Sequence, residues 1–227
     1  MAKIYDEKTA TSTSAKIASG LHKYRKVILY TLIAVAVILA ALAIASVLKQ
    51  RKTDAGTIVA EELQESYAKW LQASDDEKAS LEKEVVAKAD AIKAKYRGTF
   101  PHQRALLVLG NLAFEKSQWD DAQKDFAELA KEYPKSYLAP VALMNQATAL
   151  EEAGNNKEAV EIYQKVFDTY KETSPDAPRA LFSIARLYET TGQKEAALDA
   201  YREVADSFPD SDWTKLSRDR IIYLETH

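Results

Sequence analysis

The feature that most constrains the fold of this chain is a pattern that recurs three times between Thr99 and Ser211. In each copy an alanine precedes an aromatic residue by four positions, giving the pairs Ala122/Phe126, Ala159/Tyr163 and Ala197/Tyr201. The alanines are 37 and 38 positions apart. A repeat of this period predicts stacked helical hairpins, because a single hairpin cannot bury its own apolar face.

Start and stop signals for helices recur with the same period. Gly154 and Gly192 lie five residues before their alanines, where a helix must end and turn. Four hydroxyl residues are spaced 37 or 38 positions apart and are predicted N-caps, since their oxygens accept from first-turn N–H groups: Thr99, Ser136, Ser174 and Ser211. No segment alternates apolar and polar residues as a strand does, so the sequence predicts an all-α protein.

The three copies resemble the tetratricopeptide repeat. The matching residues of the first copy are Leu106, Leu109, Gly110, Trp119, Ala122, Phe126, Leu129 and Pro134. Those of the second are Leu143, Ala147, Leu150, Gly154, Ala159, Tyr163 and Val166, and those of the third are Leu181, Ala185, Tyr188, Gly192, Ala197, Tyr201, Val204 and Pro209. The long linkers are similar to those of bacterial envelope members of the family, including the outer-membrane assembly lipoproteins and the Tol–Pal coordinator. The resemblance implies a helical-hairpin solenoid over residues 99–210 that binds proteins or peptides.

An uncharged stretch of 22 residues, Val27 to Leu48, lies near the N-terminus. As a helix rising about 1.5 Å per residue it is about 33 Å long, which matches the hydrocarbon thickness of a bilayer. Because every face of such a helix is apolar, the stretch predicts a transmembrane helix over residues 27–48. A buried helix of a soluble domain is the alternative.

The sequence is compatible with both a cleaved and an uncleaved form of this span. Ala43, Ile44 and Ala45 have the small-x-small form of a signal peptidase site, so a cleaved signal peptide competes with an uncleaved signal anchor. The apolar run is longer than the roughly 7–15 residues of a signal peptide, which favours the anchor. Ala36 and Ala40 form a small-xxx-small pair through which two spans could pack, so a homodimer is possible in principle.

Positive charge predicts the orientation of the span. Within about 20 positions five Lys or Arg residues precede it and three follow it closely, which favours a cytoplasmic tail over residues 1–26 and an extracytoplasmic main domain. The main domain, residues 54–227, has 22 Lys/Arg and 32 Asp/Glu, a net charge of −10 that argues against nucleic-acid binding. The chain has no cysteine, which excludes disulfides and suits an exported protein.

Three further segments complete the predicted architecture. Residues 49–56 form a short linker, and residues 57–98 form a degenerate helical hairpin in the register of the repeats. Ser74-Asp75-Asp76-Glu77 predicts a capping box within this hairpin, and Gly98 its end. Residues 211–227 predict a capping helix with Trp213, Leu216, Ile221 and Leu224 along one face.

Catalytic patterns are lacking in the sequence. It has no Gly-rich phosphate loop, no H-E-x-x-H and no G-x-S-x-G, and its carboxylate runs are typical of solvated helix faces. His22, His102 and His227 are predicted to be surface residues that do not converge. We therefore expect neither an enzyme nor a bound metal or cofactor.

A recognition groove is the better candidate site, since the first helix of each tetratricopeptide hairpin lines a concave surface. Transferred position by position, the predicted peptide groove consists of Arg104, Leu107, Asn111, Phe114, Met144, Asn145, Thr148, Arg179, Phe182 and Arg186, with Val141, Glu151 and Glu189 beside them. Apolar groups next to arginines suit a peptide with some acidic character. The alternative is that Phe114, Met144 and Phe182 mainly contact the next helix of the solenoid.

Some members of the family hold the C-terminal carboxylate of a peptide with two asparagines and basic residues. Asn111, Asn145 and Arg179 match this clamp, whereas Leu107 and Ser183 stand where it needs basic residues. Only part of the clamp is therefore present.

The order of an anchor followed by repeats resembles the ancillary subunit family of the bacterial Sec translocon. The resulting prediction is a single-pass inner-membrane protein with periplasmic repeats that bind a peptide or a partner protein. A structural subunit of an envelope machine, such as a flagellar-motor collar or a cell-division assembly, is the alternative. A eukaryotic outer-mitochondrial receptor with cytosolic repeats is a third hypothesis.

Overall fold

A computed structural model of the chain describes residues 7–227, with side chains from Tyr24 onward. Its helices are α1 (Glu7–Gln72), α2 (Asp75–Lys95), α3 (Phe100–Glu115), α4 (Trp119–Glu132), α5 (Leu138–Glu152), α6 (Asn156–Tyr170), α7 (Ala177–Thr190), α8 (Lys194–Ser207) and α9 (Asp212–Thr226). This described range contains no strand, which confirms the predicted all-α class. It divides into one unit up to Lys52 and a second from Thr53 to His227.

The first unit contains the apolar part of α1. Of the helices searched from Tyr24 onward, this one alone is long and apolar enough to cross a membrane, with a mean hydropathy of 2.9 over its most apolar window. None of that window is buried within the protein. The apolar side chains from Val27 to Leu48 are therefore exposed on all faces of the helix.

Helix α1 is longer than the sequence suggested. Residues 1–6 of the predicted tail lie outside the described residues, and the backbone is helical from Glu7. Residues 49–56, expected to be a linker, are also helical. Their Lys, Arg, Gln and Ala residues favour a helix. Gly56 suits its position, because a Cβ there would lie only 2.8 Å from both Tyr96 and Pro101. The missing side chain of Gly56 therefore lets Tyr96 and Pro101 pack directly against α1.

The second unit begins with the expected degenerate hairpin, formed by the end of α1 and by α2. Its core contains Leu63, Trp70, Val85 and Ile92, which also contact α3 residues such as Val108. The capping box at Ser74 differs from the prediction, because the Ser74 hydroxyl donates to the Glu77 carboxylate at 2.9 Å instead of accepting from a backbone N–H. Three helical hairpins follow, α3/α4, α5/α6 and α7/α8, as the repeat pattern predicts.

Only some of the predicted N-caps hold. Ser211 caps α9 and accepts from Trp213 N at 3.3 Å. Ser136 and Ser174 also accept from the backbone N–H two residues on, at 3.2 Å each. The N-cap positions of α5 and α7 themselves are occupied by Tyr137 and Asp176. Thr99 occupies the N-cap position of α3, yet its hydroxyl donates to Tyr96 O at 2.5 Å. Tyr96 O also accepts from the backbone N–H of Thr99 at 3.2 Å, so both donors of Thr99 satisfy this carbonyl at the end of α2.

The alanine–aromatic pattern builds the core of the solenoid. Ala122, Ala159 and Ala197 have no exposed surface, and the aromatic residue four positions on is at most 2% exposed in each repeat. At Gly110 a Cβ would lie 2.5 Å from the ring of Phe126, so the first hairpin packs more closely than its two counterparts, which carry alanine at that place. The alanines let the two helices of each hairpin approach until the rings fill the space between them.

The turn within each hairpin has one backbone conformation. Gly154 and Gly192 have φ values of 79° and 76°, as the sequence predicts, and Ser117 takes the same position in the first repeat with φ 57°. In all three, the next residue donates its N–H to the carbonyl five residues back, at 2.8 or 2.9 Å. A serine thus adopts a left-handed conformation that favours glycine.

Helix α9 closes the described end of the solenoid with a face that differs from the predicted one. Trp213, Ile221 and Leu224 pack against the core, but Leu216 is 47% exposed. Ser217 is fully buried in its place, because a spacing of four from Trp213 keeps it on the packed face.

Candidate functional site

Five of the predicted groove residues surround one cavity on helices α3, α5 and α7. The cavity has a volume of about 210 Å³ and is lined by Asn111, Phe114, Phe126, Asn145, Thr148 and Arg179. Phe126, which comes from α4, was not among the predicted groove residues. The structure therefore brings together Asn111, Asn145 and Arg179, the three residues that match the carboxylate clamp.

The two asparagines are hydrogen-bonded to each other across adjacent repeats. Asn145 Nδ2 donates to Asn111 Oδ1 at 3.3 Å, and both side chains are half-buried. This bond occupies one of the two N–H groups of Asn145 and one lone pair of Asn111. Each amide keeps further donor and acceptor capacity, which is the chemistry needed to bind the main chain of an extended peptide.

The second repeat contains a polar network at the place where the first has the cavity. Tyr163 Oη donates to Glu151 Oε1 at 2.5 Å, and Thr148 Oγ1 lies 3.2 Å from the same phenol oxygen. Arg186 forms an ion pair with the other oxygen of Glu151. Burial, and then the hydrogen bond to Glu151, raise the pKa of Tyr163 to about 12. The phenol therefore stays protonated and acts as a donor at neutral pH.

The third repeat has the same network, with its arginine supplied by α9. Tyr201 Oη donates to Glu189 Oε2 at 2.8 Å, and Arg220 Nε donates to the same oxygen at 3.2 Å. A second guanidinium nitrogen of Arg220 pairs with Glu189 Oε1. The hydrogen bond from Arg220 lowers the pKa of Glu189. The Glu189 carboxylate is thus held ionised by groups of the protein itself.

The first repeat lacks this network altogether. Tyrosine and glutamate are separated by 12 residues in the second and third repeats, and Phe126 and Phe114 stand at that spacing in the first. Neither phenylalanine can donate or accept a strong hydrogen bond, and Phe114 instead packs edge-on against Trp119 at 5.0 Å between ring centroids. The cavity lies where the repeated polar network is interrupted.

The remaining predicted groove residues have other surroundings. Met144 is only 2% exposed and belongs to the core, so it is not available to a ligand. Phe182 packs between Tyr201 and Trp213, at centroid distances of 5.4 and 5.1 Å, as the alternative interpretation proposed. Arg104 and Leu107 are half-buried on α3 and do not line the cavity.

One cluster of potential metal ligands occurs among the described residues. His102, Glu128 and Glu132 each have a ligand atom within 4.8 Å of the others. His102 is 2% exposed, contrary to the expected surface position, and its Nδ1 lies 2.8 Å from the hydroxyl of Tyr133. Since Glu128 pairs with Lys93 at 3.5 Å and Glu132 with Arg97, we interpret the cluster as the ionic contact between α2 and α4.

Comparison with known proteins agrees with this architecture. Residues 104–136 and 138–210 match two models of the tetratricopeptide repeat. This part of the chain is therefore similar to tetratricopeptide repeats. A "TPR repeat-containing protein" of Treponema pallidum (strain Nichols) is 30% identical over 87 residues, which are 35% of this chain and 36% of that protein. The chain thus matches about a third of the length of this relative.

Solved structures support the fold. The Podosopora anserina putative kinesin light chain with nearly identical TPR-like repeats has a TM-score of 0.54 and 16% identity, covering 74% of this chain and 87% of that one. A second structure of the same protein gives a TM-score of 0.55 and 15% identity, covering 74% of this chain and 86% of that one. These likenesses confirm a helical-repeat solenoid. The repeats in turn indicate a protein–protein interaction adaptor.

Proposed function

We propose that the chain is a membrane-anchored adaptor whose repeats bind an extended peptide or a partner segment at the cavity lined by α3, α4, α5 and α7. The observation that carries this proposal is the grouping of Asn111, Asn145 and Arg179 around an aromatic-floored cavity. Paired amides bind a peptide main chain, and the cavity takes one side chain. Asn111, Asn145 and Arg179 all lie on the first helices of their hairpins, the helices that line the recognition surface of tetratricopeptide repeats, which supports the proposal.

The apolar part of α1 serves in this proposal as the membrane anchor, with the N-terminus in the cytoplasm. Support comes from its length, its hydropathy of 2.9 and the surplus of positive charge before the span. In a bacterial cell this topology puts the repeats in the periplasm, where they assist protein export or envelope biogenesis.

The absence of cysteine makes this topology directly testable. Single substitutions Ala2→Cys and Glu161→Cys in intact cells should differ in their reaction with a membrane-impermeant maleimide. We expect labelling only at position 161, whose side chain is exposed on α6. Labelling at position 2 alone would reverse the orientation, and with it the proposed site of action.

Binding at the cavity is tested by placing a photo-crosslinking amino acid at Thr148 in cells. Thr148 lines the cavity and is half-buried, so a substituted side chain there faces a bound peptide. The matched control is Glu161, which is exposed in the same repeat and does not line the cavity. A discrete adduct at position 148 that is absent at 161 supports the proposal, and equal adducts at both positions contradict it.

A scaffold role is the second candidate, and one observation favours it. Helix α9 exposes Leu216, Ile222 and Tyr223 by 47%, 62% and 48%. A terminal helix of a repeat array normally presents a polar outer face. If the chain is a building block of an envelope machine, the double substitution Leu216→Glu/Ile222→Glu should release it from a large complex on native gels while helicity is retained.

A further inference from the structure

The charges of the concave face are distributed unevenly among the repeats. Glu151 of the second repeat is paired with Arg186 on α7, and Glu189 of the third repeat is paired with Arg220 on α9. The side chains of these two glutamates are only 13% and 18% exposed. Each arginine is therefore neutralised by a carboxylate that solvent hardly reaches, and a ligand anion would have to displace it.

Arg179 is in a different situation. Its side chain is exposed at the edge of the cavity, and no ion pair joins it to a carboxylate among the described residues. No acidic residue lines the cavity either. Arg179 is therefore the charged residue that lines the cavity, and a negatively charged group of a ligand is attracted to it rather than to the neutralised Arg186 and Arg220.

The interruption of the network also creates the space for a ligand. Phe114 and Phe126 replace the glutamate and tyrosine of the other repeats, and Thr148 stands at the position of Arg186. The short Thr148 side chain leaves open the volume that a guanidinium fills in the next repeat. An opening of about 210 Å³ above two aromatic rings suits one aliphatic or aromatic side chain.

We infer that Glu151 and Glu189 determine the specificity of the groove. By holding Arg186 and Arg220 they close the second and third repeats to acidic ligands, and the groove then favours a peptide in which an apolar residue is followed by an acidic one. The apolar side chain enters the cavity and the carboxylate pairs with Arg179. This inference rests on the proposed function, and it adds which chemistry the groove selects and which residues impose the selection.

The four asparagines of the chain provide a direct assay. Two of them, Asn111 and Asn145, line the cavity, and the other two, Asn155 and Asn156, lie at the start of α6. Full-length protein labelled with ¹⁵N-asparagine in lipid nanodiscs therefore gives two reporter amides and two internal controls. The probes are two pools of acetylated, amidated pentapeptides, Gly-Gly-X-Asp-Gly and Gly-Gly-X-Asn-Gly, with X being Leu, Val, Met or Phe.

We expect the Asp pool to shift the amides of Asn111 and Asn145 but not those of Asn155 and Asn156. A pair on the exposed Arg179 is worth less than about 1 kcal/mol, so the Asp pool should bind about three- to fivefold more tightly than the Asn pool. Arg179→Ala should abolish this preference, so that the two pools bind with equal affinity.

Glu151→Gln tests the proposed selection, because it releases Arg186 as a second cation. Binding of the Asp pool should then tighten about threefold, since a second exposed pair becomes available, with no change for the Asn pool. Glu161→Gln is the matched control, as it removes the same charge from an exposed site in the same repeat. Glu189→Gln provides an independent variant of the third-repeat network if Glu151→Gln fails to fold.

The outcomes separate the two levels of the proposal. If both pools shift Asn111 and Asn145 equally and Arg179→Ala has no effect, the cavity binds peptides but the specificity inference is wrong. The specificity inference is also wrong if Glu151→Gln and Glu161→Gln change binding alike. If neither pool shifts Asn111 or Asn145, peptide binding at the cavity fails, and the proposed function fails with it.

Discussion

The left-handed conformation of Ser117 predicts that Ser117→Gly stabilises the repeats. Ser117 has φ 57°, and it takes the turn position that glycine occupies at residues 154 and 192. This conformation costs a non-glycine residue roughly 1–2 kcal/mol, and the greater backbone freedom of glycine in the unfolded chain offsets up to about 1 kcal/mol of the gain from the substitution. The expected net stabilisation is about 1 kcal/mol.

The reciprocal substitution, Gly154→Ser, is the matched control. A Cβ at Gly154 meets nothing within 4 Å, so the expected cost comes from the backbone alone and is about 1 kcal/mol of the opposite sign. For a folded unit of this size, 1 kcal/mol corresponds to a shift in Tm of about 2–4 °C.

Tryptophan fluorescence is a suitable assay, because Trp70, Trp119 and Trp213 all belong to the second unit. Thermal unfolding of the full chain in nanodiscs should show a higher Tm for Ser117→Gly and a lower one for Gly154→Ser. An unchanged or lower Tm for Ser117→Gly, with the expected loss in Gly154→Ser, would refute the argument that the three turns are equivalent.

Three further substitutions test the packing and the networks. Gly110→Ala should destabilise by about 1 kcal/mol in chemical denaturation, because overpacking against Phe126 at about 1–3 kcal/mol exceeds the helix propensity gained; Phe126→Leu in the same chain should restore the loss. Tyr201→Phe should lower the free energy of unfolding by about 1.5–3 kcal/mol, since a hydrogen bond to the charged Glu189 is lost. A loss below about 0.5 kcal/mol, as expected for removing an exposed hydroxyl group, would contradict the network. Burial lowers the pKa of His102, so its contribution to stability is present above the unfolded pKa and is lost as pH falls through the folded pKa. His102→Gln should therefore flatten the fall of Tm below about pH 6.5, and an unchanged pH profile would contradict the burial of this imidazole.

The fold was predictable from the sequence because its signals are local and repeated. The pairs Ala122/Phe126, Ala159/Tyr163 and Ala197/Tyr201 fix the helix faces that meet, and Gly154 and Gly192 fix two of the turns. The first turn carried no glycine, so its conformation at Ser117 could be found only by aligning the copies. Residues 49–56 lie between the apolar span and the first amphipathic helix and were expected to be a linker, but they continue α1 as a helix.

The groove was predictable only in part, because a position within a repeat does not fix what a side chain touches. Asn111, Asn145 and Arg179 do line one cavity, but Met144 is buried in the core of the solenoid. The polar networks depend on contacts between repeats that no single copy reveals. The sequence nevertheless contains a signal for them. Glu151 and Tyr163 are 12 residues apart, and two phenylalanines stand at the corresponding positions of the first repeat.

The most direct test of the account compares photo-crosslinking at Thr148 with photo-crosslinking at Leu216 in the same cells. Thr148 reports on the cavity, and Leu216 on the exposed face of α9. The account predicts a partner adduct at position 148 that Asn145→Leu abolishes, because this substitution removes an amide from the cavity. An adduct confined to position 216, unaffected by Asn145→Leu, would contradict the groove as the site of recognition and identify the chain as a scaffold.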